Sequence, residues 1–378
     1  MNKLNSMMAV ALLALTFTAC KKDNKEPEIV VPVSDGSTLT LNGLIAAEAG
    51  SAAGNSVYVD FSKDKATSVE RDSWDLGFYM GSDFKVILNS SNGASAILTT
   101  VAKTDLASVT AADFDPNLLK VGQGNGVLTA TTTAPITPVV IDDPREASIL
   151  NKTVIATISA TDTDNKVYIV NRKGGSNTVL ANEELYKIRI LRKGTGYTLQ
   201  YAKVNATTFS SLEIVKNSVT NFQHVSLVKG ATTVVEPEKA DWDLVWGYSM
   251  YWTLSGTTQL PYGFSDLVFI NNLGGVQSAE VLTADFTYAA FAEANLTSSK
   301  IVFSNARDAI GSKWRNTLAV AATPTAPAEP AGARTNRFYL IKDGTGNIYK
   351  LKFVSMGSGS DGGTRGKPVI EYKLVKKG

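Results

Sequence analysis

Cysteine and histidine are almost missing from this chain. There is one of each in 378 residues, Cys20 and His224. A single cysteine excludes an internal disulfide framework and a zinc–thiolate cage. A single histidine leaves one imidazole for any catalytic triad, and no Gly-x-Ser-x-Gly elbow accompanies it. No excess of positive charge exists: 37 Lys+Arg against 35 Asp+Glu give +2, too little for a surface that neutralises a nucleic-acid backbone. Long apolar runs are also absent, apart from residues 7–17 near the start, and that stretch is too short to span a bilayer. The sequence is read as a binding protein, not an enzyme.

The leader MNKLNSMMAVALLALTFTAC has a basic start at Lys3, an apolar centre and small residues before Cys20. This is the pattern of a lipoprotein signal over residues 1–19, with Cys20 as the lipid-bearing residue. The alternative is an ordinary exported protein with an incidental cysteine. Residues 20–38, charged and Pro-containing, read as a flexible tether.

What is abundant is repetition. DSWDLGFYMGSDF (72–84) is echoed by KADWDLVWGYSMYW (239–252), and SVTAADFD (108–115) by VLTADFT (281–287). KVYIVNRKGG (166–175) is echoed by RFYLIKDGTG (337–346), LYKIRIL (185–191) by IYKLKFV (348–354), and YTLQYAKV (197–204) by VIEYKLV (369–375). The common order of these landmarks implies two tandem domains, placed at 39–215 and 216–378; the period is too long for a solenoid. Short runs rich in Val, Ile, Tyr and Phe, bounded by Gly, Asn and Asp, make each copy mainly β, with antiparallel meanders. Thr110 and Thr283 are positioned to cap a few short helices, around 107–119 and 282–294. Two segments, 122–146 and 322–333, read as surface loops. DTDN (162–165) lacks the remaining ligands of a calcium loop and reads as a turn, as do the glycines of 122–126 and 344–346.

Trp74 and Trp242, each followed by Asp and Leu, read as core anchors, with Asp75 and Asp243 bonding nearby amides. An Asn follows each triplet, Asn89 in the first copy and Asn271 or Asn272 in the second. Even strand spacing places Met80 on one face with Trp74, Leu76 and Phe78. The same rule groups Met250 with Trp242, Leu244, Trp246, Tyr248 and Trp252, a parity that a bulge would break. Packing explains both methionines better than ligation does. His224 reads as a structural or surface residue and Met356 as a strand-end residue. The second copy gathers Trp246, Tyr248, Tyr251, Trp252, Tyr262 and Phe264 within a short stretch. These rings suit either core and interdomain packing or an aromatic binding surface for a planar ligand or sugar.

Trp-Asp-Leu at a strand start, the later Asn, the Asp-Phe, and a tail of Val-Tyr-x-Val, Gly, Tyr-Lys and Tyr resemble the HmuY family of Bacteroidota surface lipoproteins, here apparently once per copy. The resemblance implies tandem HmuY-like antiparallel β domains, anchored through Cys20 to the outer membrane and facing the cell surface. It also implies capture of haem or a related tetrapyrrole for a TonB-dependent receptor. Haem iron needs an imidazole, thiolate, thioether or phenolate lone pair. The resemblance therefore points to Met80, Met250 and His224 as ligands, with Trp246, Tyr248, Tyr251, Trp252 and Tyr262 around the ring. A bis-histidine site is excluded by the single histidine. The rivals are a glycan- or peptide-binding lipoprotein of a nutrient-uptake system and a duplicate with only a structural role.

Overall fold

The computed structural model describes residues 32–121, 140–145, 149–174, 179–255, 258–324 and 327–378. Cys20, the leader and most of the tether lie outside them. The strands, in chain order, are β1 (Gly36–Thr40), β2 (Asn55–Asp60), β3 (Lys65–Glu70), β4 (Leu76–Tyr79), β5 (Val86–Leu88), β6 (Ser95–Leu98) and β7 (Tyr168–Asn171). They continue as β8 (Tyr186–Lys193), β9 (Gly196–Lys203), β10 (Ser210–Ile214), β11 (Phe222–Ser226), β12 (Ala231–Thr233), β13 (Leu244–Ser255) and β14 (Thr258–Ile270). The last are β15 (Gln277–Leu282), β16 (Arg315–Asn316), β17 (Gly332–Ala333), β18 (Arg337–Lys342), β19 (Ile348–Ser355) and β20 (Val369–Lys376). Helical structure among the described residues is confined to short 3₁₀ turns. Thr110 caps one of these with a capping box, over Ala111–Asp113. Thr283 caps nothing; its N–H bonds Asn336, and the turn in that region lies at Glu293–Thr297.

Sheet order repeats. One five-stranded sheet runs β10-β9-β8-β7-β6 and another β1-β20-β19-β18-β15; one four-stranded sheet runs β12-β11-β4-β5 and another β3-β2-β13-β14. The ladders are antiparallel, and the pairing crosses the boundary expected at 215/216. The hairpin β2–β3 of the first repeat joins the Trp-Asp-Leu strand of the second, with Tyr58 opposite Val245 and Val59 opposite Leu244. Reciprocally, β11 joins β4, with His224 opposite Gly77 and Val225 opposite Leu76. The sheets thus regroup into an inner half, the continuous run β4–β12, and an outer half, β1–β3 with β13–β20. Each Trp-Asp-Leu strand would otherwise present an open edge, and the other repeat's hairpin covers it.

The triplet's aspartates secure the exchange. Asp75 accepts the Leu227 N–H (2.7 Å) and Asp243 the Phe61 N–H (2.8 Å), each at the turn of the borrowed hairpin. The two asparagines brace the same strand from behind. Asn89 Nδ2 donates to the carbonyls of Arg71 and Trp74, and Asn271 Nδ2 to those of Lys239 and Trp242; Asn271, not Asn272, is the counterpart. The turn after each ends in a left-handed glycine, Gly93 (φ 67°) and Gly275 (φ 89°).

Each half has its own core. Leu76, Phe78, Tyr197 and Val225 fill the inner one, and Leu41, Phe61, Trp246, Trp314 and Tyr349 the outer one. A third cluster lies between the halves and contains both triplet tryptophans, with Tyr58, Phe222, Val245 and Phe269. Trp74 meets His224 edge-on at 4.6 Å, and Trp242 meets Tyr58 edge-on at 5.1 Å. His224 and Tyr58 occupy matching positions on β11 and β2, so the lone histidine does in one half what a tyrosine does in the other.

Candidate functional site

The seam between the halves holds a cavity of about 50 Å³, lined by residues that include Tyr58, Trp74, His224, Glu236, Trp242 and Arg307. Its polar groups are unusual for an interior. Glu236 accepts the Phe222 N–H at 2.6 Å, and burial pushes its carboxyl up to about 8, against the pull of that N–H and of Arg307. Arg307 is half-buried, lies over the Phe269 ring at 4.4 Å and donates to the Pro144 carbonyl; desolvation lowers it to about 10. Burial alone lowers His224 to about 3, so its imidazole is neutral. The indole N–H of Trp242 has no partner. The volume is enough for a water or two. It is far below the roughly 300–1,000 Å³ of a small-molecule pocket.

Sequence reasoning missed Glu236 and Arg307. They stand in segments without periodicity, among other charges that give them no distinction, and only the meeting of the two halves brings them together.

The expected iron ligands do not converge. Met80 lies in the inner core and its sulfur accepts the Asn217 N–H at 3.4 Å. Met250 is 1% exposed in a different cluster, with Ile97, Leu106 and Leu119, and Met356 is sealed in the outer core. His224 alone of the three candidate ligands lines the cavity. Among the described residues, no three His, Cys, Asp or Glu side chains form a metal-holding group. At 162–165 the chain makes a 3₁₀ turn in which Ser159 Oγ bonds Asp164, and the Asp343 carboxylate closes its turn on Thr345 and Asn347.

The aromatic stretch forms an arm. Strands β13 and β14 are far longer than β4 and β5, and β2 pairs with β13 only as far as Trp246. Between Gly247 and Ser249 the register shifts, with Asp266 in the left-handed region (φ 57°), and the ribbon runs on over the inner half. Trp246 stays in the outer core, whereas Met250 and Trp252 pack into an inner-half cluster; the face expected to be one surface serves two cores. Tyr251 stacks on Phe264 at 4.2 Å with Arg145 over its other side at 4.3 Å, and burial raises its hydroxyl to about 12. Tyr262 meets Phe264 edge-on at 4.6 Å, and Tyr248 sits beneath Arg71 at 4.7 Å. Tyr248, Trp252, Tyr262 and Phe264 remain half-exposed.

No curated protein and no solved structure matches this chain. A family model described as HmuY protein does, and it runs across both repeats as one stretch, residues 52–372. With most of its length in that match, and with the antiparallel β architecture expected from its repeated landmarks, the chain belongs to the HmuY protein family.

Proposed function

We propose that this protein is a non-catalytic binding lipoprotein of the outer membrane, anchored at Cys20 and facing the cell surface, which captures haem or a related tetrapyrrole for a TonB-dependent receptor. Family membership over residues 52–372 carries the reading. The leader ending in Cys20 supports the anchor, and no described helix is long and apolar enough to cross a membrane.

The described residues do not fit a preformed haem site. The cavity beside His224 is an order of magnitude too small, and Met80 and Met250 are enclosed in separate cores. Glycan or peptide capture is the second reading, favoured by the half-exposed rings of Tyr248, Trp252, Tyr262 and Phe264 along the arm.

The test is an absorbance titration of haemin into the chain starting after Cys20, in oxidised and reduced states. Met80→Leu, Met250→Leu and His224→Phe variants run beside it. A saturable Soret shift that one variant abolishes is the expected result and names the ligand. A response no greater than that of an unrelated protein overturns the haem reading and turns attention to the arm.

A further inference from the structure

The inner half contains a second opening, a crevice of about 280 Å³ between residues 155–166 and the strands behind them. Its wall is apolar, made by Leu98, Ile155, Ile158, Tyr168 and Ile190, and Ser159, Asp164 and Lys166 stand at its rim. The rim groups are engaged with their own loop: Ser159 Oγ with Asp164, and Lys166 Nζ with the Thr163 carbonyl.

The outer half shows what this place holds when it is filled. By the repeat, Tyr168 and Ile190 correspond to Tyr339 and Phe353. The Ile158 N–H donates to the Phe84 carbonyl at 2.9 Å, and the Trp314 indole N–H donates to the Asp266 carbonyl at the same distance. These acceptors correspond as well: Phe84 leads into Val86, which pairs with Phe78, and Asp266 leads into Val268, which pairs with Trp246. Trp314 is wholly buried there, stacked on Phe353 at 4.3 Å and 24°. The mouths differ too. Glu280 and Arg337 form an ion pair (2.9 Å) at the positions of Leu98 and Lys166, where the inner half leaves Leu98 43% exposed.

We propose that the inner-half crevice is a binding site for a small, flat aromatic molecule of about the size of an indole, which takes the place that Trp314 fills in the outer half. The volume lies at the low end of small-molecule pockets, about 300 Å³, and excludes a tetrapyrrole. The apolar wall supplies the driving force, and the exposed rim accommodates a polar substituent. The site is separate from the seam and from the arm, so it stands whether or not haem binds.

The probe is indole, added to the chain starting after Cys20 with ¹³C-labelled Ile and Leu methyl groups. Saturable shifts at Ile155, Ile158, Ile190 and Leu98, with other methyls unmoved, are expected. Cyclohexanol at equal concentration should produce at least tenfold weaker binding. Ile190→Phe, which copies Phe353, and Leu98→Glu, which copies Glu280, should each weaken indole binding at least tenfold while the remaining methyl spectrum reports an intact fold. Absence of shifts at millimolar indole overturns the proposal. So do equal affinity for cyclohexanol and undiminished shifts in folded variants.

Discussion

Asp75 and Asp243 hold matching backbone hydrogen bonds beside neighbours of opposite charge. Burial raises the Asp75 carboxyl, but Asp75 faces Arg172, whose Nε donates to it at 2.7 Å and whose charge pulls it back down. In the outer half the residue matching Arg172 is Asp343. Asp243 therefore sits among carboxylates, and burial, with Asp60 and Asp343 nearby, drives its carboxyl well above the usual range. A neutral acid still accepts the Phe61 N–H. The repeat has kept the acceptor that locks the exchanged hairpin, and the charge on that acceptor is free to differ.

Substituting asparagine at each position sharpens this contrast most. Asp75→Asn removes the more buried of the two carboxylates on Arg172, leaving Asp72, and should cost about 2 kcal/mol. Asp243→Asn replaces a carboxyl that burial and the neighbouring carboxylates already push toward its neutral form, and should stay within about 1 kcal/mol of the parent. Urea unfolding of the two variants checks it, and equal losses would break the comparison.

The seam offers a test by pH. Glu236 has its carboxyl raised from 4.5 to about 8 in the folded chain, so its stabilising contribution is complete below about 4.5 and is lost as pH rises toward 8. The slope is at most about 1.4 kcal/mol per pH unit. Glu236→Gln should flatten the melting temperature between pH 5 and 8, and an unchanged slope would contradict the assignment. His224 acts on the other limb. Its folded value, about 3 against 6.5, means that stability falls as pH drops below about 6.5.

The smallest effect at neutral pH is expected from His224→Tyr, which installs the residue that Tyr58 represents in the matching position. Thermal melts should shift by less than about 1 kcal/mol at pH 7. The acid loss between pH 6 and 4 should diminish, because a phenol does not charge there. A large loss at pH 7 would show that the two Trp-contacting positions are not interchangeable.

Much of this was legible in the residues. Val-Ile-Tyr runs between turn clusters gave strands, and the paired landmarks gave matching sheet orders. The Trp-Asp-Leu triplets marked strands with a tryptophan at one end and an amide-binding carboxylate. The exchange was not legible, because alternation in VYVDF or HVSL tells which face of a strand is buried and says nothing of which strand lies beside it. The arm's surplus of rings was visible, but its cause was not. Only three-dimensional reach explains why Trp246 and Met250, on one strand, belong to different cores. The crevice was invisible because none of the repeated landmarks covers residues 155–165 or Trp314, so the sequence does not set these two segments against each other.

The pairing of β1 with β20 has a consequence for the order of assembly. Thr40 lies opposite Val369, so the first of the described strands joins the last of them. The hairpin β2–β3 likewise waits for β13. Closing so long a loop adds little to the equilibrium cost, since that term grows only logarithmically with length. Its weight falls on the rate, because contacts distant in sequence form slowly. The inner half, a continuous run, can be completed while the chain is still growing; the outer half is the last to close.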